Sequence, residues 1–288
     1  MKEYYNIFIQ SFTDYFHYLS NELLYPSWHN YFYWLLGLSL FIWLLEITIP
    51  WRKHQHIIRK DFWLDGFYMF FNFFLFSLIG FNAISNVFVN LFDDFIGLFG
   101  LHNIVAFEIG HWPKWVQLLT LFILADFIQW NIHRMLHYVP WMWEFHKVHH
   151  SVEQMGFAAH LRFHWMENII YKTIQYIPLA MIGFGLKDFF IVHIIALSIG
   201  HINHSNLNIS YGPFKYLLNN PKMHIWHHAK ELPQLPYGAN YGISLSIWDY
   251  IFKTDYIPND GRDIELGFES MENVPKSFLD QSKHGFKK

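Results

Sequence analysis

Apolar residues run in long blocks through the first half of the chain, then give way to a mixed pattern studded with histidine. A bilayer-crossing helix needs roughly 20 mostly apolar residues. YFYWLLGLSLFIWLLEITIPW, 31–51, meets this requirement despite Glu46. FWLDGFYMFFNFFLFSLIGFNAISNVFVNLF, 62–92, exceeds it, and predicts a crossing near 67–88 followed by an interfacial stretch. WVQLLTLFILADFIQW, 115–130, predicts a third crossing that runs directly into His133. Residues 169–185 and 188–204 predict a tight hairpin whose short arms are interrupted at Pro178, Gly183 and Gly185. Beyond 253 the chain turns polar. The pattern predicts an all-α polytopic integral membrane protein with about four or five spans and a helical, histidine-rich cap. It divides into N-terminal spans at 1–112, a catalytic region at 113–256 and a polar tail at 257–288.

Composition agrees with a membrane setting. Hydrophobic residues make up 53% and charged residues 15%, against about 25% charged in an ordinary soluble domain. A net charge of −3 offers no basic face for nucleic acid. The absence of cysteine excludes disulfides, thiolate zinc sites, iron–sulfur clusters and a cysteine nucleophile in this chain. The start, MKEYYNIFIQSF, lacks the pattern of a cleaved signal peptide. Arg52, Lys53, Arg59 and Lys60 form a basic loop that is expected on the cytoplasmic side. Alternating the spans from there brings His133, the His201/His204 end of the hairpin, and the segments 146–150 and 224–228 to that same face.

Those histidines are the candidate chemistry. Of 20, 13 lie between 133 and 228. They fall into HRMLH (His133, His137), HKVHH (His146, His149, His150), HLRFH (His160, His164), HINH (His201, His204) and HIWHH (His224, His227, His228), with His193 alone. Residues at i and i+4 share a helix face, so His133 and His137 can address one ion. Within H-x-x-H-H the first histidine shares a face with both later ones, while the adjacent pair diverges by roughly 100°. One cluster can therefore serve two neighbouring metals. Two clusters and two pairs supply ten imidazoles, enough for a dinuclear centre. Structural zinc needs only about four ligands. Carboxylate-bridged di-iron proteins need Glu-x-x-His from two helices, and this chain has one, at Glu108 and His111. Iron held almost wholly by histidine fits best. His17, His29, His102 and His284 read as surface or interface residues and His193 as packing. His164 reads as a ligand or an orienting donor, and His160 as a non-ligand.

HRMLH, WEFHKVHHS, RFHWME, HSN, HIWHH and NYGISLSIWDYIFKT occur in that order over residues 122–256. This set resembles the membrane-bound fatty acid hydroxylase/sterol desaturase superfamily, and is most similar to its alkylglycerol monooxygenase-like and bacterial sterol desaturase-like branch. Trp165 and Lys253 stand where relatives often have Pro and Gly. The resemblance implies an integral membrane di-iron oxygenase acting on lipid C–H bonds by hydroxylation, desaturation or hydroxylation-led ether cleavage. It carries two His-ligated irons over to His133, His137, His146, His149, His150, His224, His227 and His228, and also to His201 and His204.

Acidic residues normally orient metal-bound histidines. Asp126, two helical turns before His133, is the strongest candidate because acids within a span are costly. Glu167 is a second, with Glu144 and Asp249 after it. Asn240 and Tyr241 are expected to shape the mouth of the site, and Gly242 to serve a turn. G-F-G at 183–185 lacks the third glycine of a dinucleotide fingerprint, so electrons are expected from a separate donor. The expected partners are a membrane lipid, O2 and that donor, in a bacterial inner membrane or the endoplasmic reticulum. A metal transporter is the rival reading, but only Glu46, Asp65 and Asp126 lie near the spans as acids.

Overall fold

A computed structural model describes residues 2–76, 82–100, 109–176, 178, 179, 182–232, 235 and 237–286. Glu108 and His102 lie outside the described residues. Helix α1 covers Lys2–Leu24, α2 Tyr31–Thr48, α3 Phe62–Phe70, α4 Asn82–Gly97 and α5 Lys114–Tyr138. Helix α6 follows at Pro140–His150 and α7 at Trp165–Tyr171. Helix α8 covers Leu186–His204, α9 Pro221–His227, α10 Ile247–Phe252 and α11 Phe278–Gln281. Among the described residues there is no strand, only isolated bridges such as Leu218 with Leu245, so the all-helical expectation holds.

Two helices, α2 and α5, are long and apolar enough to cross a membrane. They keep apolar side chains outward: Phe41 and Leu44 on α2, Trp115 and Leu119 on α5. Other expected elements differ from the pattern. Within 67–88, α3 passes into a π-helical turn at Phe71–Leu75, α4 is described from Asn82, and 77–81 lie outside the described residues. In the first hairpin arm α7 likewise passes into a π turn at Lys172–Tyr176, whereas the returning arm is the continuous α8. Helix α1 lies along α4. Its apolar residues alternate with Lys2, Glu3, Gln10, Asp14 and Glu22, so no apolar block announces it.

The N-terminal helices pack into the catalytic region. Leu19, Tyr31, Leu35, Met69 and Phe74 share one core with Leu161 and Leu197. A second core, of Ile132, Leu136, Met142 and Ile170, joins α5, α6 and α7 beneath the histidines. The 49–61 loop is largely spent internally. Buried Arg59 is paired with Asp65, and Arg162 Nη1 lies 3.3 Å from the other oxygen of Asp65 and 3.1 Å from Asp61. A buried carboxylate is tolerated only when so compensated. Arg52 donates to Met155 O at 2.8 Å, leaving Lys53 and Lys60 as the loop's exposed cations.

Candidate metal centre

Val139 is extended, as a residue before proline prefers, and Pro140 occupies the first position of α6, where its missing N–H costs nothing. The chain thus breaks after α5 and packs α6 back on it. The same device recurs at α9, where Asn220 caps the helix by accepting from Met223 N at 3.2 Å and Pro221 follows. These turns aim four helix ends at one point.

Nine imidazoles meet there in two groups. His133, His137, His146, His150 and His227 form one; His149, His204, His224 and His228 form the other. Each H-x-x-H-H cluster is shared between them. His146 and His150, one turn apart, serve the first group while His149 serves the second. His224 and His228 serve the second while His227 serves the first. The groups adjoin, with the His150 and His228 rings 4.4 Å apart between centroids. Apart from partly exposed His137, none of the nine is more than 6% exposed.

Backbone carbonyls and one carboxylate set the ring tautomers. Nδ1 of His133 donates to Tyr241 O at 2.7 Å, that of His149 to Arg162 O at 3.1 Å, that of His204 to Gly200 O at 2.8 Å and that of His227 to Ala239 O at 2.8 Å. Nδ1 of His146 lies 2.9 Å from Glu167 Oε2. A carbonyl only accepts, so each Nδ1 bonded to one carries the proton and each Nε2 a lone pair. Those lone pairs converge: His149 and His204 bring their Nε2 atoms to 3.4 Å, though neither can donate. Nε2 of His137, His150 and His227 and both nitrogens of His228 are buried without a partner among the described residues. Burial and then neighbouring imidazoles hold His146, His150, His224, His227 and His228 well below the usual imidazole range, and burial holds His149 down to about 3. Neutral, convergent and unsatisfied imidazoles fit a pair of cations, and the all-nitrogen donor set suits Fe, Zn, Cu or Ni.

The other expected residues take different places. His201 stands outside both groups although it is only one turn from His204. Its Nε2 meets Ser39 Oγ at 3.1 Å and its Nδ1 meets His160 Nδ1 at 2.9 Å. The His160 ring fills the space beside Gly200, where a Cβ would come within 2.2 Å of it. His164 caps α7, accepting from Met166 N on Nδ1 and donating from Nε2 to Ser282 O. Glu144 lies at the surface with Lys147.

Asp126 reaches no histidine. It accepts from Ser244 N, Leu245 N and Trp248 Nε1 at 3.0, 3.2 and 2.9 Å. Asn240 donates to Met223 O and Tyr256 O and accepts from Tyr256 N. Asp249 accepts from Trp130 Nε1, Thr254 Oγ1 and the N–H groups of Tyr241 and Gly242, while burial pushes its carboxyl up to about 6. These three residues fix the 239–249 loop, which supplies the carbonyls of Ala239 and Tyr241 to His227 and His133. Backbone acceptors of this kind leave no signature in a sequence, so spacing alone does not find them. Of the acids, Glu167 alone touches a grouped histidine among the described contacts.

A cavity of about 190 Å³ opens beside the rings. His133, His146, His149 and His204 line one part of it, and Phe122, Val192 and Leu197 are among its apolar residues. The centre therefore faces space that suits hydrocarbon.

A fatty acid hydroxylase family profile matches residues 118–254. The chain is 30% identical over 175 residues to an ornithine lipid hydroxylase of Rhizobium tropici, covering 61% of this chain and 52% of that one. It is 34% identical over 187 residues to alkylglycerol monooxygenase of Xenopus tropicalis, covering 64% and 40%. To the human alkylglycerol monooxygenase it is 33% identical over 142 residues, covering 49% and 31%. The chain thus spans about half the length, or less, of these relatives. No solved structure matches it. Residues 118–254 thus match the fatty acid hydroxylase family profile, and the chain is similar to relatives named as lipid hydroxylases and monooxygenases.

Proposed function

We propose that the chain oxidises a C–H bond of a membrane lipid with O2 at a pair of irons held by histidine. The carrying observation is the pair of adjoining imidazole groups, whose bare nitrogens converge beside an apolar cavity. His133, His137, His146, His150 and His227 would hold one iron, and His149, His204, His224 and His228 the other. His201, expected as a ligand, is assigned instead to packing behind His160. When bound, the irons supply O2 activation and the power to break an unactivated C–H bond.

The chain's own residues position and shield. Tyr241 O, Ala239 O, Gly200 O and Arg162 O hold imidazole rings in the metal-ready tautomer, and Glu167 holds His146. Asp126, Asp249 and Asn240 act one step further out, fixing the loop that carries two of those carbonyls. Ligand orientation of this kind is commonly worth 10–100-fold in metal affinity. Phe122, Val192 and Leu197 keep water from the reacting carbon. Relatives that hydroxylate ornithine lipid or act on alkylglycerol support a polar-headed lipid as substrate. The site would face the cytoplasm of a bacterial inner membrane or the endoplasmic reticulum, with exposed Lys53 and Lys60 on that side and a separate protein donating electrons. The test is lipid profiling of membranes with and without the active protein. A product heavier by one oxygen supports a hydroxylase; one lighter by two hydrogens makes the chain a desaturase. An unchanged lipidome together with metal flux in proteoliposomes would make it a transporter.

A further inference from the structure

The segment 277–286 is polar in composition yet firmly anchored. Ser277 caps the short α11, accepting from Asp280 N at 3.2 Å. Phe278 sets its ring edge-on against Phe67, Tyr68 and Phe71, with centroids 4.8, 5.1 and 4.6 Å away. Gln281 is fully buried, accepting from the Tyr68 hydroxyl at 2.9 Å and donating to Pro275 O at 2.7 Å. A buried carboxamide satisfied in this way ties the segment to α3.

Beyond α11 the chain crosses to the two helices beneath the first histidine group. Ser282 O accepts from two side chains at once, His164 Nε2 at 3.0 Å and Trp165 Nε1 at 2.9 Å. Phe286 covers Phe145, His164 and Trp165, its ring 5.0, 5.9 and 5.6 Å from theirs. Gly285 passes so near Phe145 that a Cβ would come within 2.6 Å of that ring. One segment thus grips α6 through Phe145 and α7 through His164 and Trp165.

Those helices carry the His146–Glu167 pair. Phe145 adjoins His146 in the chain. The Ser282 carbonyl only accepts, so Nε2 of His164 carries its proton and Nδ1 keeps the lone pair that accepts from Met166 N at 3.1 Å. His164 N donates to Glu167 Oε1 at 3.3 Å, and Glu167 Oε2 meets Nδ1 of His146. A line of contacts therefore runs from Ser282 through the start of α7 to a histidine of the first group.

We propose that segment 277–286 is a positioning element for the first histidine group: it holds Glu167 against His146, so that its docking and metal binding strengthen each other. This rests on the metal-centre reading above. Such coupling is reciprocal, so whatever docking adds to metal affinity, metal returns to docking. Undocking the segment would lower occupancy of the first group without removing a ligand.

The test uses the full chain in detergent, with ferrous iron added anaerobically and its affinity read by chelator competition. Phe286→Ala removes the cover over Phe145 and His164, and Trp165→Phe removes one donor to Ser282. Each should weaken one of the two irons roughly 10-fold, and Phe286→Tyr, which keeps the ring, should not. In a Glu167→Gln background the same changes should have an effect of less than about 2-fold, because coupled residues are not additive. Hydrogen exchange at the backbone amides of 278–286 should slow when iron is added to wild type, but not to Glu167→Gln. Unchanged affinity in both variants, equal losses with and without Glu167, or exchange indifferent to iron overturns the proposal. If Phe286→Ala does not fold, Trp165→Phe and the wild-type exchange comparison decide. Wild type that binds iron with any of these results loses this inference only; wild type that binds no iron loses the metal-centre reading and the coupling with it.

Discussion

Glu167 Oε2 stands 2.9 Å from Nδ1 of His146, and both side chains are almost wholly removed from solvent. The carboxyl sits on the first turn of α7, where it also closes a capping box by accepting from His164 N. One residue thus starts a helix and orients a ring of the first histidine group. Burial pushes this carboxyl up to about 8; a cation at His146 acts in the opposite direction. Glu167→Gln keeps an acceptor but removes the charge. Metal affinity should fall roughly 10–100-fold, read by competition with a chelator. Unchanged affinity would leave Glu167 as a helix cap only.

The 239–249 loop should matter as much as the rings it supports. A Cβ on Gly242 would come within 2.5 Å of Leu245 O and 2.9 Å of Asp249 Oδ2. Gly242→Ala should therefore shift the loop, loosen the Tyr241 carbonyl from His133, and lower both melting temperature and bound metal. Asp249→Asn should do the same, because each carboxylate oxygen accepts from a backbone N–H, so the amide nitrogen of Asn would face a donor in either orientation. Full metal content in both variants would show that the carbonyl supports are dispensable.

Acid should unfold the protein. His146, His149, His150, His224, His227 and His228 titrate lower when folded than the usual imidazole value, chiefly through burial. A depressed folded value means that the unfolded chain takes up protons first as pH falls. Their contribution is complete above about pH 6.5 and declines below it, each histidine losing up to about 1.4 kcal/mol per pH unit. Thermal unfolding of metal-free protein should drop steadily from pH 7 to pH 5. A flat profile would contradict the buried, neutral state of the cluster.

His201 offers a sharp contrast with His204. His201→Ala should retain bound metal, whereas His204→Ala should lose it from the second group, as measured by metal analysis of the two purified variants. Loss of iron in His201→Ala would return it to the ligand set.

The sequence made the histidines legible because helical spacing alone decides which rings share a face. That is why H-x-x-H-H could be read as serving two metals, and why its division between the two groups follows from i, i+3 and i+4 geometry. His201 was not separable from His204 this way. Its place outside the two groups depends on the His160 ring, which is lodged against Gly200 and meets His201 across 41 residues. Asp126 looked like a partner of His133 from its two-turn spacing, yet its acceptors are taken by a loop 118 residues further on. Among the helices, α2 and α5 were plain from unbroken apolar length. Helix α1 is hidden by its interspersed polar residues, and the π turn after α3 by a run of phenylalanines that reads as ordinary helix.

The most direct measurement is metal stoichiometry on detergent-purified protein: wild type beside His149→Ala and His227→Ala, one ligand from each group. The account predicts about two irons per wild-type chain and a clear loss in each variant, with the retained iron no longer magnetically coupled. Wild-type protein that stays free of iron after anaerobic reconstitution, or variants that keep the full complement, would contradict a histidine-held iron pair.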